Sequence, residues 1–303
     1  MFQKFYHKIV KHWEMELRNA SALSPQWLAN AAVVNRVNMK VSGNAEEDPY
    51  QYFISFLKEK QKEFPLERCL TVGCGSGMLE RGLSKYNFCK IHEGIDLAPA
   101  AIQMADEMAK AAGLRHLRYS VDDLNTMTLP ADRYDAVLAS MSLHHLSNLD
   151  FVFCEIRQSL KENGFLFFNE YVGPDRFQFT NRQKEVLQGI VKMLPQKYLS
   201  GGGLERYRKM KFPSVRDIAN LDPSEAIHSS RILPALKKYF KIEVQKDYGG
   251  TLLSPLLFGV ALNFSPDNQQ DQNMLKALFQ IEDALISSGE LTSDFTVVIA
   301  SPK

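Results

Sequence analysis

The sequence predicts a doubly wound α/β fold. Three observations carry that expectation. Short apolar runs alternate with helical stretches from residue 66 to residue 171. A glycine-rich turn closes the first run, and an acid ends the second. Such alternation implies parallel strands joined by right-handed crossovers.

The elements follow in chain order. Phe2, Phe5, Tyr6, Ile9, Val10, Trp13 and Leu17 repeat at helical steps with lysines between them. This helix either caps the same protein or lies on a membrane surface. Pro49 opens a second helical pattern over 50–64, stopped by Pro65. Residues 1–64 are thus an N-terminal helical cap. The strand-like runs are then Cys69–Val72, Lys90–Leu97, Leu117–Leu124, Tyr134–Met141 and Phe165–Asn169. Pro99 suits the first position of a helix that Gly113 stops. Ser147 to Asp150 reads as a capping box, opening a helix that runs to Asn163–Gly164.

After Tyr171 the alternation lapses. Residues 173–238 are richer in polar and basic residues, with a helical piece over Asn181–Leu194 and a glycine run at 201–203. They read as an inserted substrate-binding region or lid. Alternation returns at Tyr239–Tyr248, then a helix over Asp271–Ser287 and a strand over Phe295–Ala300. The sheet domain thus comprises 65–172 and 239–303, with seven strands, mostly parallel.

Composition excludes several classes. Lys plus Arg number 36 and Asp plus Glu 35, a formal net charge of +1, which gives no basis for nonspecific nucleic-acid binding. Cys69, Cys74, Cys89 and Cys154 form no C-x-x-C pair and read as reduced, cytosolic thiols; no metal site is expected. The N-terminus has no secretory signal pattern, and the most apolar run, Thr251–Phe264, falls short of the roughly 20 residues a membrane span needs. A cytoplasmic protein is expected.

The turn Gly73-Cys74-Gly75-Ser76-Gly77 lets a ligand approach the backbone where a helix begins. Its third glycine comes one residue too early for a dinucleotide fingerprint, and no lysine follows to make a P-loop. Asp96 ends the second strand, where a carboxylate can accept hydrogen bonds from both ribose hydroxyls. Asp123, with Asp122 competing, ends the third, where it can accept an adenine amino group.

The segments CLTVGCGSGMLE, EGIDLAPAAIQMA, VDDLNTMTLP, RYDAVLASMSLHHL and KENGFLFFNE, over residues 66–172, together resemble the class I S-adenosylmethionine-dependent methyltransferases. The resemblance implies a Rossmann-like methyltransferase fold, S-adenosylmethionine as cofactor and S-adenosylhomocysteine as product. It implies that Gly73, Cys74, Gly75 and Gly77 hold the methionyl end, Asp96 and Leu97 the ribose, and Asp123 and Leu124 the adenine. Ser140 and Met141 would border the sulfonium. One departure stands out: Thr71 occupies the place, two residues before the first glycine, where the family usually has an acid. The flanks VVNRVNMKVSG (33–43), NEYVGPDRFQFT (169–180) and the end run from GGTLLSPLLFGVALNF to DFTVVIASP resemble bacterial small-molecule and glycan-associated methyltransferases.

His144 and His145 follow the fourth strand, where a methyl acceptor should lie, and His145 is the preferred base. Either could instead only pack or bond backbone. Glu170 is a second base candidate, or holds a loop. Tyr171 and Arg176 are candidate acceptor-binding residues; a single basic residue in a loop such as Arg176 is more often structural or solvated. Residues 33–43 read as a lid arm or an ordinary surface segment, and Leu252–Phe264 as a pocket wall or a core helix. Arg206, Arg208, Lys209 and Lys211 form a basic cluster that either attracts an anionic substrate or is solvated. The resulting expectation is methyl transfer to a small-molecule or glycan acceptor, at a hydroxyl oxygen, by in-line displacement. An RNA or protein methyltransferase and a non-catalytic cofactor-binding subunit are the alternatives. The oligomeric state is not encoded in any pattern we read.

Overall fold

The computed structural model describes residues 26–200 and 212–303. The helix expected over Phe2–Leu17, the glycine run at 201–203 and the basic cluster Arg206–Lys211 lie outside them.

One sheet holds seven strands in the order β3-β2-β1-β4-β5-β7-β6. They are β1 (Leu66–Val72), β2 (Cys89–Asp96), β3 (Leu117–Val121), β4 (Tyr134–Ser140), β5 (Leu160–Tyr171), β6 (Phe240–Gly249) and β7 (Phe295–Pro302). The first five run parallel, and β7 lies antiparallel between β5 and β6. Strand order reverses between β1 and β4, the place where open α/β sheets bind ligands. The helices are α1 (Ala31–Val41), α2 (Pro49–Glu59), α3 (Met78–Ser84), α4 (Pro99–Ala111), α5 (Leu149–Ser159), α6 (Asn181–Met193), α7 (Val215–Leu221), α8 (Ile232–Tyr239), α9 (Leu253–Leu257) and α10 (Gln269–Ser287).

The central strands are apolar on both faces because helices cover both. Cys69, Leu138, Phe167 and Ile299 face one core, shared with α1, α2, α6, α9 and α10. Leu70, Val72, Val137, Phe168 and Val298 face the other, shared with α5 and α8. In α2 a capping box between Asp48 and Gln51, with Pro49 at the first position, fixes the start. Arg36 pins α1 to the far end of the chain. Its guanidinium donates to the Tyr248 carbonyl at 3.0 Å and to Glu282 and Asp283 at 2.8 Å each. Segment 33–43 is therefore largely a packed helix, with Val33, Val37 and Val41 buried.

Several sequence expectations are corrected. No capping box opens α5. The Asn125 side chain instead accepts the N–H groups of Ser147 at 2.9 Å and Asn148 at 3.0 Å, and no side chain caps the helix. The helix stops at Ser159, because Leu160 is extended and already pairs with Tyr134. The α2 helix stops at Glu59, short of Phe64. Strand β3 stops at Val121, so Asp123 and Leu124 lie in the turn beyond it. Leu252, Leu253, Leu256, Leu257, Val260 and Phe264 are buried in the core, which settles that segment as core.

Phe167 is fully buried, its ring 4.8 Å from Phe53 and 5.5 Å from Tyr50. Phe167→Ala should cost about 3–5 kcal/mol of unfolding free energy. A loss below about 1 kcal/mol in denaturant titration would show that the two layers do not meet through this ring.

Candidate active site

The cleft is built where β1 ends. Gly73, Gly75 and Gly77 have φ of +68°, +53° and +72°, a region that side chains disfavour. A Cβ on Gly73 would stand 2.4 Å from the Ser142 Cβ, and one on Gly77 2.5 Å from the Tyr119 hydroxyl. Beside Gly75 there is nothing within 4 Å. The outer glycines are thus required by packing, while the middle one faces open space that a ligand can occupy.

Asp96 locks this turn to β2. Its Oδ2 accepts the Gly75 N–H at 2.8 Å and its Oδ1 the Ala98 N–H at 2.9 Å. Burial raises its pKa, and these backbone donors partly offset the rise. Leu97 follows, half-buried. At the exit of β3, Asp123 accepts both the backbone N–H and the side-chain amide of Asn125, at 2.9 Å each. Asp122 is exposed, and Leu124 beside it is buried. Across the switch point, Ser140 meets the Tyr50 hydroxyl at 2.5 Å. Met141 follows with φ of +50° and its side chain exposed. Turn, carboxylates and Met141 thus flank the carboxyl ends of β1 to β4, and the residues fit a nucleoside carrying an amino-acid tail.

Glu170 organises the neighbouring loop. Its Oε2 accepts the N–H groups of Ser142 at 2.8 Å and Leu143 at 2.7 Å. Its Oε1 accepts the Tyr171 N–H at 2.7 Å and meets His144 Nδ1 at 2.5 Å. His144 Nε2 lies 3.5 Å from Glu225. Burial disfavours the charged imidazole, but the Glu170 charge and hydrogen bond outweigh it, with Glu225 and Asp222 adding to them; the His144 pKa is raised. His145 Nδ1 stands 3.1 Å from the Ser224 hydroxyl and 3.5 Å from Asp222. His144, His145 and Glu225 each offer a metal-ligating atom within 4.8 Å of the others, a grouping absent from the sequence expectation.

Arg176 has φ of +55°, and its guanidinium donates to the carbonyls of Glu225 at 3.0 Å and Pro223 at 2.7 Å. It holds 222–226 over the histidines. Tyr171 is buried, its hydroxyl donating to the Pro174 carbonyl. Sequence reasoning missed Tyr50, Glu80, Asp222 and Glu225. Tyr50 was hidden in an ordinary helical pattern. Glu225 and Asp222 come from a distant segment that no local spacing ties to the histidines.

Glu80, on α3, is fully buried. Burial lifts its pKa from an ordinary 4.5 to about 7, against a lowering by Thr71.

Residues 70–168 match the family model described as a methyltransferase domain. The chain is 31% identical over 150 residues to a sterol 24-C-methyltransferase of Candida albicans, covering 47% of this chain and 40% of that protein. It is 28% identical over 136 residues to a malonyl-[acyl-carrier protein] O-methyltransferase of Bacillus cereus, covering 45% and 48%. It is 28% identical over 111 residues to a ubiquinone biosynthesis O-methyltransferase of Coxiella burnetii, covering 37% and 46%. The chain thus spans less than half the length of each of these relatives. A solved geranyl diphosphate methyltransferase in complex with SAM superposes with a TM-score of 0.53 at 15% identity, over 88% of this chain and 90% of that one. This is a likeness of fold.

A carboxyl whose folded pKa is raised contributes its full stability below its unfolded value, and loses it as pH climbs through the folded value. For Glu80 that window runs from pH 4.5 to about 7. Glu80→Gln should therefore match the native chain in stability near pH 4.5 and exceed it at pH 8, by on the order of 3 kcal/mol. Thermal melts at the two pH values check this; a pH-independent difference would mean the carboxyl does not ionise in the core.

Proposed function

We propose that this chain, which carries a class I S-adenosylmethionine-dependent methyltransferase domain, transfers a methyl group to a small-molecule acceptor, with a hydroxyl oxygen or a sugar hydroxyl as its target. The observation that carries the reading is the open glycine turn bonded to Asp96 at a topological switch point. The small-molecule class is supported by the acceptors in the names of the curated relatives.

When bound, S-adenosylmethionine supplies a methyl group already activated on sulfonium sulfur. The chain's own residues do the rest. Gly73, Cys74, Gly75 and Gly77 hold the amino-acid end, Asp96 and Leu97 the ribose, Asp123 and Leu124 the adenine, and Ser140 and Met141 the region of the sulfonium. Positioning of this kind can supply on the order of 7–11 kcal/mol of a displacement barrier.

His145 is our choice of base for the acceptor hydroxyl. A hydroxyl and a carboxylate face its Nδ1, an arrangement that orients an imidazole. His144 is less suited to take a proton, because the carboxylates on either side favour its already protonated state. Glu170 acts in this scheme by holding the loop and His144. Tyr171 and Arg176 support the acceptor side through the segments they pack and fasten.

Asp96→Ala should weaken S-adenosylmethionine binding at least tenfold, since charge-assisted hydrogen bonds are worth roughly 1.5–3 kcal/mol. Calorimetry reads this directly, and an unchanged dissociation constant would sink the ribose assignment. The same instrument should register no preference for NAD. His145→Ala should lower turnover in a labelled-methyl assay across an acceptor panel while leaving cofactor affinity intact; equal turnover removes it as base.

A further inference from the structure

Three side chains from two distant segments meet at the loop after β4. His144, His145 and Glu225 each bring a ligating atom within 4.8 Å of the others. His144 Nε2 and Glu225 Oε1 already stand 3.5 Å apart, and the two imidazole centroids 4.1 Å apart. A tetrahedral ion about 2.0–2.1 Å from two such ligands sets them roughly 3.4 Å from each other. Two imidazoles and one carboxylate suit a first-row transition-metal ion, whereas magnesium and calcium take oxygen ligands. The groups behind the ligands point the same way. Glu170 accepts three backbone N–H groups, so it acts as acceptor for His144 Nδ1 as well, at 2.5 Å. That puts the lone pair of the neutral ring on Nε2, the atom facing Glu225, in the carboxylate–histidine–metal pattern. His145 Nδ1 stands 3.1 Å from the Ser224 hydroxyl, which donates to Asp222 at 2.8 Å. Arg176 fastens the carbonyls of Pro223 and Glu225, so the loop that carries the carboxylate is held in place. Glu170, Asp222 and Glu225 bring three carboxylates to the two rings against the Arg176 guanidinium, and a divalent cation neutralises the remainder.

We propose that His144, His145 and Glu225 bind one divalent transition-metal ion, with zinc the best match to this ligand set, and that the bound ion switches His145 off as a base. A neutral imidazole has a single lone pair, to give either to a proton or to a metal. Once His145 has given it to the ion, its other ring nitrogen bears hydrogen and takes no proton from an acceptor hydroxyl. Removal of the ion by a chelator returns the lone pair. The metal site stands on the ligand geometry alone. Its effect on turnover rests on the reading of His145 as the base of a methyl transfer.

The test uses the full chain dialysed against a chelator, with cobalt(II) as the spectroscopic probe and zinc as its competitor. A single cobalt ion per chain should bind with the intense visible bands of a low-coordinate site and without the thiolate charge-transfer band of cysteine ligation, and zinc should displace it. Glu225→Gln and His145→Ala should each weaken zinc binding by roughly tenfold or more, since even the outer partners of a metal ligand cost about 10–100-fold. Glu225→Asp, which keeps the charge, should bind zinc more tightly than Glu225→Gln. Matching melting temperatures of the metal-free proteins verify folding, and zinc should raise the melting temperature of the native chain above that of the variants. A general base contributes about 10²–10⁴-fold, so saturating zinc should lower native turnover at least roughly tenfold in a labelled-methyl assay, reversibly on adding chelator. The affinity for S-adenosylmethionine should not move. No binding by the native chain, or equal zinc affinity in the native chain, Glu225→Gln and His145→Ala, overturns the site. Turnover that rises with zinc overturns the switch. Zinc bound at these three residues with turnover unmoved removes His145 as the base, and the switch with it, while the metal site stands.

Discussion

The site depends on one hydrogen bond between a side chain and the backbone, from the Gly75 N–H to the Asp96 carboxylate at 2.8 Å. It joins the turn after β1 to the end of β2, next to the main-chain bonds from Gly73 and Cys74 to the Ile95 carbonyl. Left-handed glycines alone would leave the turn a choice of conformations. The carboxylate removes that choice, and in doing so brings its own charge to the rim of the cleft.

A second acid does comparable work on the other side of the switch point. Glu170, at the end of β5, gathers three backbone N–H groups and the His144 ring. Fully buried, it would be costly if those donors were absent. With them it fixes the loop after β4, and through His144 it reaches Glu225 on a segment that Arg176 holds down. This side of the switch point is thus a layered polar network above an apolar sheet.

The strands, the glycine turn and Asp96 were legible because each signal is local. Alternation, a run of glycines and a strand-end acid need only a few residues to be read. The errors have a common origin in distant partners. Ser147 and Asp150 have the spacing of a capping box, but Asn125 from another loop takes the N–H groups first. Arg176, which the sequence left open between binding an anion and a structural or solvated role, spends its donors on the carbonyls of Pro223 and Glu225 from a distant segment. Buried polar groups obey pairing rules that operate in space, and one-dimensional spacing does not carry them.

The placing of β7 between β5 and β6 has a consequence for biogenesis. A ribosome delivers the glycine turn, the acidic strand ends and the histidines long before it delivers Phe295–Pro302. Until that last strand emerges, β5 has one unpaired edge and β6 has none of its sheet partners. From the completion of β5 until that strand emerges, the nascent chain carries an unpaired strand edge, a template for pairing with another chain.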